Sequence, residues 1–256
     1  MKIALIIGAA SGIGLGISNA LRKKEIHVID ADIAFNESEQ TSTKRYVDAS
    51  CETSITSLTE FLQKESIQLD YLIITIGIID EGHSLLYPSQ NLAWMLKINV
   101  IAPYLLVQHL NPFLSKSDSP KILLTGSAAG LGSTDDSSNL MPYIVCKHAL
   151  MGYFKVLHNE LSEQGIQVSL LLPNRIAGKL SENSATLRRT FLKEKDDFSK
   201  GLQPSTNKVV EASNVATGYI EDFLDGKTYI SNNPSIILDK LQAELDQMKQ
   251  NWTSQV

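Results

Sequence analysis

Apolar runs of strand length recur along the chain with helical patterns between them: Ile3–Ile7, Ile26–Ile29, Arg45–Val47, Tyr71–Ile76, Ile122–Thr125 and Val168–Leu172. Their near-continuous Ile, Leu and Val content, rather than apolar/polar alternation, predicts strands buried on both faces, as in a parallel sheet covered by helices. The fold class that follows is α/β, a doubly wound parallel sheet with helices on both faces. After the first strand, Ile13, Ile17, Ala20 and Leu21 fall on one helical stripe, and Arg22-Lys23-Lys24 closes that helix with cations suited to its negative pole. A second helix is predicted over about Asn91 to Leu114 and a third over about Pro142 to Ser162, where Leu150, Phe154, Leu157 and Leu161 make the core stripe. From Lys179 to Lys208 the sequence turns polar and charged without a strand signal, and a mobile flap over the substrate is expected there. Beyond Asn233, Pro234 takes a first helical position, and Ile237, Leu241, Leu245, Met248 and Trp252 recur every three or four residues. This predicts a terminal amphipathic helix over about 235–252. Its apolar face is expected to dock on the parent core, with a subunit interface as the second choice.

The 256 residues are 43% hydrophobic and 20% charged, enough for one substantial core, and no Pro/Gly/Ser linker divides them, so a single domain over 1–256 is expected. With 23 basic against 28 acidic residues the net charge is −5, and a nucleic-acid backbone would meet no basic field. The only cysteines, Cys51 and Cys146, do not make a disulfide scaffold and fit a reducing cytoplasm. The first apolar run breaks at Gly8, too early for a secretory signal. The stretch Leu72 to Ile79 is interrupted by Thr75 and Gly77, far short of the roughly 20 residues that span lipid, so no membrane segment is expected. His27, His83, His109, His148 and His158 lack metal-ligand spacing, and no metal is required.

The first strand runs straight into Gly8-Ala9-Ala10-Ser11-Gly12-Ile13-Gly14, with the next helix opening on the last glycines. Glycine permits the tight turn and close approach of backbone N–H groups to a pyrophosphate, and the helix N-terminus adds partial positive charge, as in a Rossmann dinucleotide site. Asp32 lies 18 residues beyond Gly14, at the end of the second strand, where a carboxylate can accept bonds from the adenosine ribose hydroxyls. Asp30 is the rival for that role. NAD is implied, because a 2′-phosphate would meet this carboxylate with no Arg or Lys at Ser11 or Ile33 to neutralise it; NADP is the second choice. Tyr143 and Lys147 stand four positions apart on a helix and project from one face. A phenol of ordinary pKa about 10 is a poor acid–base at neutral pH, but a fixed cation nearby brings it toward the working range. Ser127 closes the fifth strand at its carboxyl end, where ligands of open α/β sheets bind, and can donate to a substrate oxygen.

The order of these motifs resembles the short-chain dehydrogenase/reductase family from Lys2 to about Leu224. Gly8, Gly12 and Gly14 match its glycine turn, with Ser11 and Ile13 inside it; Asp48-Ala49 match its adenine-side turn, and Asn99 its helix asparagine. Ser127, Tyr143 and Lys147 match its catalytic serine, tyrosine and lysine. The resemblance implies that Tyr143 is general acid in reduction and general base in oxidation, and that Ser127 holds the reacting oxygen. It further implies that Lys147 binds nicotinamide-ribose hydroxyls and lowers the tyrosine pKa, and that Asn99 positions a water in a relay to Lys147. Gly77, Pro173 and Ile176 fall where cofactor contacts are expected. It also implies a homodimer or homotetramer through the helices near Asn99 and Tyr143. Departures stand out: Ile74-Thr75-Ile76-Gly77 keeps only the glycine of an Asn-Asn-Ala-Gly turn, and Pro173-Asn174-Arg175-Ile176 replaces a Pro-Gly turn. Gly178 stands where a threonine is usual, Asp-Gly-Gly near the C-terminus is absent, and Leu131 to Met141 lengthen the serine–tyrosine connection into a substrate wall. The function expected is interconversion of a secondary alcohol and a ketone or related carbonyl. The alternative is a dinucleotide-binding regulatory or scaffold protein without catalysis.

Overall fold

A computed structural model describes residues 1–114, 117–131, 139–192 and 210–253. Its strands are β1 (Ile3–Ile7), β2 (His27–Asp32), β3 (Lys44–Tyr46), β4 (Tyr71–Ile74), β5 (Lys121–Thr125), β6 (Gln167–Leu171), β7 (Ile176–Ala177), β8 (Val210–Glu211) and β9 (Tyr229–Ile230). Seven of them form one sheet in the order β3-β2-β1-β4-β5-β6-β9, every neighbouring pair parallel. The chain thus winds outward from β1 in one direction, returns, and winds outward in the other. The crevice at this reversal, outside the carboxyl ends of β1 and β4, is where such sheets bind ligands.

The helices are α1 (Gly12–Lys23), α2 (Glu52–Lys64), α3 (Ser89–Leu96), α4 (Ala102–Leu114), α5 (Met141–Ser162), α6 (Leu180–Leu192), α7 (Ala212–Leu224) and α8 (Pro234–Thr253). Alternation along β1 explains the layering. Leu5 and Ile7 enter a core with Leu58, Leu106 and Phe154 from α2, α4 and α5. Ala4 and Ile6 face the other way, against Ile17, Leu21, Ile220 and Phe223 of α1 and α7. Each large aliphatic side chain so buried contributes roughly 1.5–3 kcal/mol, which is why the strands carry no polar face.

Several expectations are corrected. The second strand extends past Ile29 to Asp32, and the fourth stops at Ile74 rather than Ile76. The helix expected over Asn91 to Leu114 is α3 and α4 joined by a π-helical turn, Lys97–Ile101. The flap begins with the regular helix α6, and the β7–β8 pairing joins the chain just before it to the chain just after it; residues 193–208 of it, and 132–138 of the expected substrate wall, lie outside the described residues. The terminal helix starts at Pro234, but its apolar face does not dock on the parent core. Ile237 is buried, while Leu238, Leu241, Leu245, Met248 and Trp252 are exposed, because α8 leaves the body within about its first two turns. Among the described residues no helix is long and apolar enough to cross a membrane.

Candidate active site

The glycine turn sits at the mouth of the β1/β4 crevice. Gly8 takes φ +95°, and the N–H groups of Gly8 and Ala9 both donate to Ala31 O, at 2.8 and 3.2 Å, fastening the turn to β2. A Cβ on Gly14 would stand 2.0 Å from Gly8 O, so α1 can start this close only without a side chain there. Gly14→Ala is therefore expected to cost on the order of 3 kcal/mol, read as a lower thermal midpoint. An unchanged midpoint would show that the turn relaxes freely. Gly12, at φ +54°, has nothing within 4 Å of its Cβ position, which leaves open space over the turn. The Ser11 side chain does not cap α1, and the first turn of α1 holds no acidic residue, so the positive end of the helix faces that space uncompensated. These features fit a dinucleotide pyrophosphate. Ile13 lies beneath, packed against the α1/α7 core.

The two candidate aspartates separate in the structure. Asp30 is paired with Arg22 at 2.7 Å. Asp32 ends β2 beside the turn, where its carboxylate accepts from Ala10 N at 2.9 Å and from Ala34 N at 2.8 Å. Asp48, after β3, accepts from the N–H and hydroxyl of Ser50 at 2.9 and 2.7 Å and shapes the turn that carries Ala49 into α2.

On the β4 side, Thr75 supplies a support that the departure at Ile74-Thr75-Ile76-Gly77 removes by sequence. Its hydroxyl lies 3.0 Å from Ile7 O and 3.1 Å from Gly8 O, binding the end of β4 to the glycine turn. The signal was the polar interruption of an apolar strand. Asn99 is fully buried in the π turn. Its amide accepts from Ile78 N at 3.0 Å and donates to Ile78 O and Met95 O at 3.1 and 3.0 Å, holding the chain just past Gly77.

Ser127, Tyr143 and Lys147 meet at the carboxyl end of β5. Ser127 caps a short 3₁₀ turn, accepting from Ala129 N at 3.1 Å, and its side chain is near enough to the Tyr143 phenol to pull that group's pKa down. Pro142 at the start of α5 sets Tyr143 in the first turn, in a cluster with Ile78, Trp94, Met95 and Cys146. Lys147, one turn along, donates to Thr125 O at 3.0 Å and lies 5.5 Å from the Tyr143 ring centroid. The expected lowering of the phenol by Lys147 is corrected here: burial, the dominant cause, pushes the Tyr143 hydroxyl up, with Ser127 pulling against it. The lysine pays for the same burial, its pKa pushed down to about 8. Cys146 is buried and raised to about 11, an unreactive thiol.

A depressed lysine pKa has a definite sign. Between about pH 8 and the ordinary value near 10.4, the unfolded chain binds a proton that the folded chain does not, so stability rises with pH across that window. Lys147→Met is expected to remove this rise. Denaturant unfolding at pH 7 and pH 10 should show wild type gaining about 2–3 kcal/mol more than the variant, and equal gains would refute the buried ammonium.

The sequence reading missed how α6 is held over this site. Asn183 Nδ2 donates to Ser11 Oγ at 3.3 Å, Ile79 N donates to Ser184 Oγ at 3.0 Å, and the largely buried Arg188 pairs with Asp80 at 2.7 Å. Asp80 also accepts from the Tyr87 hydroxyl. Below α6, Pro173 O accepts from Ala128 N at 3.2 Å, Asn174 exchanges two bonds with Asn232, and Arg175 turns at φ +50° before Ile176 enters β7. Apart from the Asp80–Tyr87 pair, these partners lie from 45 to 172 residues apart in sequence, and no local spacing signals them.

A seven-stranded parallel sheet with a dinucleotide-shaped turn and a Ser/Tyr/Lys group at its carboxyl edge defines a Rossmann-type oxidoreductase. The short chain dehydrogenase family profile matches residues 2–188, and the chain belongs to that family. It is 26% identical over 192 residues to an uncharacterised oxidoreductase, YxjF, of Bacillus subtilis, covering 71% of this chain and 74% of that one. It is 25% identical over 197 residues to D-beta-hydroxybutyrate dehydrogenase of Cupriavidus necator, covering 73% and 75%. A short chain dehydrogenase/reductase from Burkholderia phymatum, solved in complex with NAD, superposes with a TM-score of 0.84 at 21% identity over 98% of this chain and 95% of that one.

Proposed function

We propose that the protein interconverts a secondary alcohol and a ketone of a small-molecule substrate, with NAD as the preferred dinucleotide. The observation that carries this reading is the buried Tyr143 phenol, with Ser127 acting on it from the end of β5 and Lys147 one helical turn behind it, 5.5 Å from its ring centroid. When bound, the dinucleotide supplies or accepts the electron pair and hydrogen at the substrate carbon. Ser127 holds the substrate oxygen, and Tyr143 exchanges the proton with it. Because burial raises the phenol, Tyr143 is protonated at neutral pH and is ready to act as the acid of carbonyl reduction. Lys147 holds ribose hydroxyls, Asn99 fixes the chain past Gly77 and stands beside the relay water, and Pro173 and Ile176 border the nicotinamide side. Gly8, Ser11, Gly12, Ile13 and Gly14 hold the pyrophosphate. Asp32 takes the adenosine ribose, with Asp48 and Ala49 at the adenine. Exposed Tyr104, Val145 and Val156 on α4 and α5 support a homo-oligomer through those helices.

The test is a panel of ketones and alcohols with NADH/NAD and NADPH/NADP, followed by fluorescence. Turnover with at least one substrate is expected, with NAD(H) favoured. Cofactor binding without turnover across the panel would favour the non-catalytic scaffold instead.

A further inference from the structure

Helix α8 projects from the body with an apolar stripe that nothing in the chain's described residues covers. From Leu241 to Trp252 every residue but Glu244 is exposed, and the seam residues Leu238, Leu241, Leu245, Met248 and Trp252 are 40–65% exposed. Their spacing is three, four, three, four. That is a strict 3.5-residue period, the seam geometry of a coiled coil, whereas a helix lying on a globular core presents a broader stripe at period 3.6. From Leu238 onward the opposite face, with Asp239, Lys240, Asp246, Gln247 and Gln250, carries no large apolar residue. The stripe is therefore shaped for one other helix.

Charge identifies that helix. With Leu238, Leu245 and Trp252 at the a positions and Leu241 and Met248 at d, Glu244 falls at g and Lys249 at e of the following heptad. In a parallel pair these are the positions that meet across the seam, so two copies of α8 bring Glu244 of each against Lys249 of the other, twice by symmetry. In an antiparallel pair g faces g and e faces e, and this complementarity is lost. Lys249 contacts Asp246 of its own helix at 3.9 Å, an exposed pair of little strength.

We infer that α8 is an assembly element that pairs in parallel with α8 of a second copy of this chain, through Leu238, Leu241, Leu245, Met248 and Trp252. The contact is separate from the α4/α5 face, and it is independent of the catalytic reading above. Leu241→Cys should form a covalent dimer on mild oxidation, because in a parallel pair residue 241 faces its own copy; the wild type is the control for Cys51. Leu245→Glu, at an exposed position, should halve the assembly mass measured by light scattering, with circular dichroism and turnover unchanged. Glu244→Lys should weaken association about tenfold, and adding Lys249→Glu should restore it to within about threefold. A wild-type mass of one chain, a mass unaffected by Leu245→Glu, absence of the 241 cross-link, or failure of the double reversal each overturns the proposal.

Discussion

Tyr143→Phe is expected to lose turnover by on the order of 10²–10⁴-fold while the cofactor dissociation constant stays within about threefold. The reasoning starts from packing. Tyr143 is buried against Ile78, Trp94, Met95 and Cys146, and phenylalanine keeps the ring that fills this cluster. Only the hydroxyl goes, and with it the transferable proton. Since burial holds that hydroxyl above its ordinary pKa near 10, reduction should proceed with the phenol protonated across the neutral range and decline only as pH rises through the raised value. Steady-state rates with the best ketone, together with NADH fluorescence titration, separate the two effects. Turnover near the wild-type level would falsify the assignment of Tyr143 as proton donor. Loss of cofactor binding in parallel with turnover would place the residue in binding rather than in proton transfer.

Much of this site was legible because its parts are local signals attached to long-range geometry. A strand, a glycine turn and a helix are contiguous in sequence, and Tyr143 and Lys147 are one helical turn apart, so pattern alone puts them together. The strands read well where both faces are buried, as in β1, and less well where polar residues enter, as at Asp30 and Asp32, which carry β2 beyond the apolar run. The two-residue strands β7, β8 and β9 are too short to leave a pattern. Helix α6 was invisible for a different reason. Its fully buried residues are Ser184 and Arg188, which are satisfied by Ile79 N and Asp80, and its apolar contacts come from the partly buried Leu187 and Leu192, so polar residues interrupt the stripe that would signal it. In α8 the stripe was visible and its partner was not, because recurrence at three and four residues says that a face is covered and leaves open by what. The phenol–ammonium coupling failed on energetics: proximity on one helix face was legible, but the burial that raises Tyr143 and lowers Lys147 depends on the surrounding core.

Asp32→Asn is expected to shift the ratio of NADP(H) to NAD(H) affinity by about 10²-fold toward NADP(H), mostly through tighter NADP(H) binding. Two like charges about 4 Å apart near a protein surface repel by about 4 kcal/mol, and partial exposure and salt reduce this to roughly 2–3 kcal/mol. At about 1.4 kcal/mol per tenfold, that is the stated shift. The substitution has a second cost that the structure makes explicit. The Asp32 carboxylate accepts from Ala10 N and Ala34 N at once, and an asparagine has one oxygen for two donors, so one N–H loses its acceptor. The variant should therefore unfold about 1–2 kcal/mol more easily even as it gains NADP(H) affinity. The two readouts carry different information: fluorescence titration with both reduced cofactors tests the electrostatic exclusion, and thermal unfolding without cofactor tests the anchoring of the glycine turn. An unchanged affinity ratio with the stability loss present would leave Asp32 as a structural anchor and move cofactor selection elsewhere along the crevice, with Asp48 as the next carboxylate along the sheet edge.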